Sequence, residues 1–124
     1  MEVKAEAKFI KMSPRKVRLV AEVIKSLSPT VALEHLALMQ KRAAGPVASV
    51  LKSALANATN NAKLSAEKLW IKSVIIGGGP ALKRWRPVSR GRAHPYKKRM
   101  SHIRIVLTDN AEVNSGKLKV KNEK

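Results

Sequence analysis

The stretch between residues 77 and 103 constrains this chain more than any other part of it. It contains eight lysines and arginines, and no acidic residue occurs between Glu67 and Asp109. Like charges at this density repel one another and leave little apolar surface to bury, so the stretch cannot form a core of its own. The runs that flank it, 69–76 and 103–107, alternate as strands do. We therefore expect a β-hairpin whose outer part is a long basic arm.

The charge of the whole chain indicates a polyanionic partner. Lysine and arginine number 26 against 8 acids, which gives a formal net charge of +18. Such a field favours nucleic acid, because binding releases counterions from phosphates. Arginine dominates the centre of the arm, and guanidinium groups suit phosphates and bases better than a membrane surface. No apolar run approaches the roughly 20 residues of a membrane span. The early acids Glu2 and Glu6 argue against a transit peptide, so the expected location is the cytoplasm.

The arm is expected to be long but irregular. Strands at 68–76 and 98–107 would pair through it, and about 13 residues on each side could reach about 40 Å from the body. Pro80, Pro87 and Pro95 each lack an N–H, so we expect them to prevent a regular ladder in the outer half.

The remaining elements predict an α+β domain. Residues 2–9 alternate as a half-buried strand, and Phe9 and Trp70 are the large side chains available for the core. Length predicts one domain, 1–110, which includes the arm at about 77–102, followed by a flexible tail at 111–124. The order β-α-α-α-β-β gives three helices packed on a small antiparallel three-stranded sheet, with the hairpin arm extending from the body.

Two serine-proline pairs mark helix starts. Ser13 is placed to accept an orphan N–H as N-cap, Pro14 fits the first helical position, and Ser28-Pro29 repeats the signal for a helix that ends near Met39. The third helix covers about 41–62, or starts near Gly45 because Pro46 breaks a helix interior. The residues expected to face the core are Val17, Val20, Ala21, Ile24, Ala32, Leu33, Leu36, Val47, Val50, Leu51, Ala54, Leu55, Ala58 and Ala62.

The candidate RNA-binding residues lie in the arm and at the start of the first helix. Aromatic side chains between arginines can stack on bases, and a helix N-terminus favours phosphate. The alternatives are a solvated basic loop for the arm, a wet helix face for the first cluster, and a sheet-face residue for His102. The predicted contacts are Lys11, Ser13, Arg15, Lys16, Arg18, Lys83, Arg84, Trp85, Arg86, Arg90, Arg92, Lys97, Lys98, Arg99, His102 and Arg104.

No catalytic or metal-binding pattern is visible in the sequence. There are no cysteines, and the histidines have no carboxylate at a spacing typical of catalysis or metal binding. The glycines at 77–79 lack the Gly-Lys-Ser/Thr that completes a phosphate loop, so a strand exit and hinge is the better interpretation. We expect no enzyme and no cofactor.

Taken together, these residues resemble the large ribosomal subunit protein twenty-two family, which spans the peptide exit tunnel. The similarity covers nearly the whole chain in one register, apart from the tail after Asp109. It is carried by the segments 13–20 (SPRKVRLV), 51–58 (LKSALANA), 79–80 (GP), 82–84 (LKR), 86–87 (RP), 90–93 (RGRA), 98–99 (KR) and 101–103 (SHI).

The resemblance implies a function that charge alone does not specify. It implies binding to ribosomal RNA across several domains of the large-subunit RNA, with ribosomal protein four opposite the arm at the tunnel constriction. The nascent polypeptide would then be a further partner. The residues that would lie near the tip and line or buttress the tunnel wall are Lys83, Arg84, Arg90, Gly91 and Arg92.

Two other function classes remain open on charge alone. A nucleoid or DNA-architectural protein would also be strongly basic, and an RNA-processing enzyme would bind the same ligand. An irregular arm, rather than a helix, is offered to the ligand, which disfavours a helix-in-groove DNA reader. The missing catalytic site disfavours the enzyme.

Overall fold

The computed structural model describes residues 1–110. The predicted α+β class is confirmed, whereas the predicted flexible tail at 111–124 lies outside the described residues. The elements are β1 (Glu2–Ile10), α1 (Pro14–Ile24), α2 (Pro29–Leu38), α3 (Ala44–Ala56) with a π-helical turn (Asn57–Asn61), a 3-10 turn (Ala66–Lys68), β2 (Trp70–Pro87), a second 3-10 turn (Ser89–Gly91) and β3 (Ala93–Thr108).

The three strands form one antiparallel sheet in the order β1-β3-β2. β1 pairs with the inner half of β3, from Glu2 opposite Thr108 to Ile10 opposite Ser101. β2 pairs with β3 along nearly its whole length. On the far side of the Ile10–Ser101 pair, toward the turn at 88–92, only β2 and β3 continue. They leave the body as a two-stranded ribbon, which is the arm. At about 3.3 Å per residue the ribbon from Gly77 to Pro87 is roughly 35 Å long.

The core is built from the apolar stripes of the helices against alternating residues of the sheet. All four residues predicted for α1 are buried, whereas Leu33, Leu55 and Ala62, predicted to face inward, are only half-buried. Within residues 1–110 the core is aliphatic. Its fully enclosed members include Val17, Ile24, Ala32, Val47, Leu51, Ala54, Ile103, Ile105 and Leu107.

The third helix is shorter than its pattern predicted. It begins at Ala44, near the later of the two expected starts, with Pro46 in the first turn, where proline is tolerated. After Ala56 the α-helical ladder gives way to a π-turn. The Thr59 hydroxyl donates to the carbonyls of Leu55 (3.0 Å) and Ala56 (3.3 Å). Such back-bonding competes with the regular ladder at the point where the helix type changes.

The prediction that Phe9 belongs to the core is wrong. Its side chain is 59 % exposed, its φ is +57°, and the register with β3 shifts between Ala7 and Ile10. An irregularity of this kind changes the face of the sheet on which the following side chains lie, so Ile10 packs on the core instead. Trp70 is half-buried at the start of β2.

The expectation of an irregular outer arm is also wrong, because the strands pair continuously from Ala81 opposite Arg99 to Pro87 opposite Ala93. The Val88 N–H donates to the Arg92 carbonyl at 2.9 Å. Val88 and Arg92 therefore form a hydrogen-bonded pair. From there inward along an antiparallel ladder, non-hydrogen-bonded and hydrogen-bonded pairs alternate. Pro87 and Pro95 both fall in non-hydrogen-bonded pairs, where a missing N–H costs no ladder bond. The one irregularity of the arm is the bulge between Gly78 and Ala81, which contains Pro80.

Candidate nucleic-acid interface

The arm presents two basic faces, because directly opposed residues of an antiparallel pair lie on the same side. The tryptophan face, as we name it, consists of Ala81, Lys83, Trp85, Pro87, Ala93, Pro95, Lys97 and Arg99. The tyrosine face consists of Leu82, Arg84, Arg86, His94, Tyr96 and Lys98. Three of the predicted cations therefore lie on each face. A ligand that neutralises the arm must contact both sides of it.

Lys83 and Lys97 are directly opposite each other on the tryptophan face. Like charges at this position destabilise a β-ribbon. Both side chains are exposed, and no acidic residue occurs between Glu67 and Asp109 that could neutralise their charges. The ribbon is therefore arranged to gain stability when phosphate oxygens approach this face.

The aromatic side chains of the arm have no role in the core. Trp85 is 66 % exposed on the tryptophan face. On the other face the Arg86 guanidinium lies 5.5 Å from the centre of the Tyr96 ring, a cation–π contact that keeps both groups at the surface. Exposed aromatic rings among arginines can stack on bases, so the stacking role of Trp85 stays a prediction.

The turn of the arm carries Arg90 and Arg92, the outermost of the predicted cations. Arg90 and Gly91 both have left-handed backbone conformations, with φ of +59° and +68°. Glycine adopts this conformation without strain, and it reverses the chain tightly at the end of the ribbon. Lys83 and Arg84, predicted with these residues for the tip, lie about half-way between the bulge and the turn. The five residues are thus spread along the outer arm.

The first-helix cluster lies beside the base of the arm. The Arg18 guanidinium donates to the Ile76 carbonyl at 3.4 Å and ties α1 to β2. The predicted side-chain cap at Ser13 is wrong: its carbonyl accepts from the N–H groups of Lys16 (3.1 Å) and Val17 (3.3 Å), while its hydroxyl makes no capping bond. Pro14 at the start of α1 has no N–H, so one fewer donor needs a cap.

An open cleft of about 740 Å³ separates this cluster from the arm. Three parts of the chain line it: the segment from Lys11 into α1, the residues just before α3, and both strands at the base of the arm. Sequence reasoning missed Lys41 and Arg42, whose only signal was two adjacent cations before the third helix. The cations that line the cleft are Lys11, Lys16, Lys41, Arg42, Arg84, Lys98 and Arg99.

Two predicted RNA contacts have partners inside the protein. His102 is half-buried, and its Nδ1 accepts the Phe9 N–H at 3.0 Å while the two rings meet edge to face at 5.0 Å. The Arg104 guanidinium pairs with the Glu6 carboxylate at 3.2 Å. Both side chains join β3 to β1, so each already has a partner within the protein, and their contact with RNA stays a prediction.

The ion pairs of the described chain all belong to the body. Besides the Arg104 pair, Lys72 pairs with Glu2, and the N-terminal ammonium donates to Asp109 at 2.6 Å. That hydrogen bond is the main reason why the pKa of Asp109 is lowered. Within residues 1–110, no arm cation forms a salt bridge with a carboxylate.

Other kinds of site find no support in the part of the chain that the structure describes. Residues 1–110 contain no group of three or more histidine, cysteine or acidic side chains that could hold a metal ion. None of the helices in this range has the length and apolar character needed to cross a membrane.

Comparison with known proteins identifies the relatives of the chain. The family described as ribosomal protein L22p/L17e matches residues 5–108. Large ribosomal subunit protein uL22 of Thermus thermophilus is 48 % identical over 107 residues, covering 86 % of this chain and 95 % of the relative. The uL22 proteins of Lawsonia intracellularis and Mycoplasma capricolum are each 46 % identical, over 112 and 109 residues; they cover 90 % and 88 % of this chain, and 100 % and 98 % of the relatives.

These matches confirm the resemblance found in the sequence and extend over both body and arm. Members of the family are structural and non-enzymatic, which confirms that no catalytic role should be sought. An exposed two-faced basic arm on a small α+β body, with this sequence similarity, leads to one conclusion: the chain belongs to the ribosomal protein L22p/L17e family.

Proposed function

We propose that this protein is a structural constituent of the large ribosomal subunit, where it binds and organises ribosomal RNA in the cytoplasm. The observation that carries the proposal is the arm, a continuous two-stranded ribbon with eight cations, exposed aromatics and no acid. Phosphates of closely packed RNA supply the charge that the ribbon needs on both faces. The names of the relatives, which are large ribosomal subunit proteins, support the same assignment.

In this proposal the body positions the arm and the arm makes most of the RNA contacts. The arm joins the body at the bulge at 79–80, next to the hydrogen bond from Arg18 to β2. The space at Gly79 supports this, because a Cβ there would lie 3.1 Å from the Met100 Cβ, closer than side chains normally pack. The strands therefore approach each other closely where the arm leaves the body.

We further propose that the turn of the arm lines the nascent-peptide exit tunnel, with ribosomal protein four and the nascent polypeptide as neighbours. The proposal is supported by the family resemblance and by the exposed Arg90 and Arg92 at the outermost point of the ribbon. At that point the two guanidiniums are available to RNA or to a passing chain.

Site-directed crosslinking tests both parts of the proposal. A photoreactive amino acid is placed at Lys97 in the arm, at Arg90 in the turn, or at Lys52 on the exposed face of α3, in separate full-length variants. In purified large subunits we expect Lys97 to crosslink to large-subunit RNA and Arg90 to crosslink to a stalled nascent chain. Crosslinks of Lys97 to DNA or to unrelated proteins would contradict the RNA assignment. Absence of the Arg90 crosslink in subunits where Lys97 reacts would contradict tunnel lining alone.

A further inference from the structure

The cleft between α1 and the arm combines cations with apolar side chains, and binding of phosphate alone does not require the apolar ones. Seven cations line it, and no acidic side chain of residues 1–110 does. Apolar side chains of the Lys11–α1 segment and of both strands line it as well: Met12, Leu19, Leu82 and Met100. Leu19 is 61 % exposed although the opposite face of α1 is buried in the core. A cleft lined by both cations and apolar side chains indicates a ligand that carries both anionic and apolar surface.

An unstacked nucleotide has this distribution of charge. Its phosphates can meet the cations, while the flat face of the base can meet the apolar side chains. Methionine suits this contact, because its thioether is polarizable and adapts to aromatic rings. A double helix does not match the cleft, because its bases are stacked away from the surface and only phosphate and sugar would face Leu19 and Leu82. At about 740 Å³ the cleft falls within the roughly 300–1,000 Å³ of small-ligand sites.

We propose that this cleft holds a nucleotide of single-stranded ribosomal RNA with its base turned out of the stack, an inference that rests on the proposed RNA-binding function. The base lies against Leu19, Leu82 and the two methionines, and the flanking phosphates lie against Lys41, Arg42 and the arm cations. Ser13 lines the same cleft with a hydroxyl that makes no capping bond. It offers a hydrogen-bonding group to a base edge or to a ribose 2′-OH, and of these two only the 2′-OH distinguishes RNA from DNA.

Methyl NMR of the full chain tests this contact directly. The four methionines are labelled, and the protein is titrated with single-stranded oligoadenylate, with duplex RNA and with inorganic polyphosphate. We expect oligoadenylate to shift the methyl signals of Met12 and Met100 upfield and to produce contacts with base protons. Met1 and Met39 do not line the cleft and serve as internal controls. The proposal is overturned if oligoadenylate binds but moves Met12 and Met100 no more than polyphosphate or the duplex does.

Matched variants separate this inference from the function on which it rests. Leu82→Ser should weaken oligoadenylate binding about fivefold to tenfold, by analogy with the loss of one stacked base, and leave polyphosphate binding unchanged. Leu38→Ser is the control, because Leu38 is 84 % exposed on α2 and does not line the cleft. Equal affinity of wild type and Leu82→Ser, with steep salt dependence retained, refutes the base site and leaves general RNA binding intact. Failure of the wild type to bind any RNA refutes both.

Discussion

Removing the cations of one arm face should reduce the salt dependence of RNA binding by a calculable amount. About nine or ten phosphate contacts from the arm and α1 predict a slope of log affinity against log salt of about −6 to −9. Lys83, Lys97 and Arg99 share the tryptophan face, and none forms an ion pair within the described chain. Replacing all three by glutamine removes about three contacts, so the slope should become shallower by about 2 to 3.

Fluorescence anisotropy with a large-subunit RNA fragment, repeated over a range of KCl concentrations, measures both slopes. The matched control replaces Lys25, Lys52 and Lys63 by glutamine, because these exposed body lysines carry the same charge away from the arm. Its slope should stay within about one of the wild-type value. An equal change in both triple variants would show that net charge, not the arm, determines binding. A wild-type slope shallower than about −3 would refute extensive phosphate contact altogether.

Three further predictions concern the core, the turn and the N-terminal ion pair. Leu51→Ala should lower the free energy of unfolding by about 2–5 kcal/mol, because Leu51 is fully enclosed, whereas Lys52→Ala should be nearly neutral. If denaturant unfolding gave equal losses of free energy for the two variants, the inner face of α3 would be misassigned. Replacing Arg90 and Arg92 by alanine should leave thermal unfolding and assembly into subunits nearly unchanged. The same variant should alter the response of ribosomes to a stalling peptide or a tunnel-binding macrolide. Loss of folding or assembly, with a normal response to the peptide and the macrolide, would make the turn purely structural. The N-terminal ammonium lowers the pKa of Asp109 below its ordinary value of 3.8. The small contribution of this pair to stability is therefore present above pH 3.8 and is lost as the pH falls through the folded-state pKa. Asp109→Asn should flatten this part of the profile of unfolding free energy against pH, and an unchanged profile would contradict the pairing.

Features that depend on local sequence were predictable. The stripe of Val17, Val20, Ala21 and Ile24 recurs at helical spacing behind a serine-proline start, and all four residues are buried as expected. The basic arm was also predictable, because a long acid-free stretch between two alternating apolar runs has few other ways to fold.

Features that depend on a partner strand or on the packing of distant segments were not predictable. The irregularity that turns Phe9 outward depends on its pairing with β3, and the tolerance for Pro87 and Pro95 depends on which pairs of the ribbon are hydrogen-bonded. Lys41 and Arg42 join the cleft only because the segment before α3 lies beside the arm. A single sequence contains none of these relations explicitly.

The central claim, that the chain is an RNA-bound constituent of the large ribosomal subunit, is tested most directly by co-sedimentation. A tagged full-length chain is expressed in cells, and a high-magnesium lysate is separated on a sucrose gradient with and without RNase. We predict that the chain sediments with large subunits and that RNase releases it. Sedimentation with free protein, or with DNA in a form that DNase rather than RNase disperses, would contradict the account.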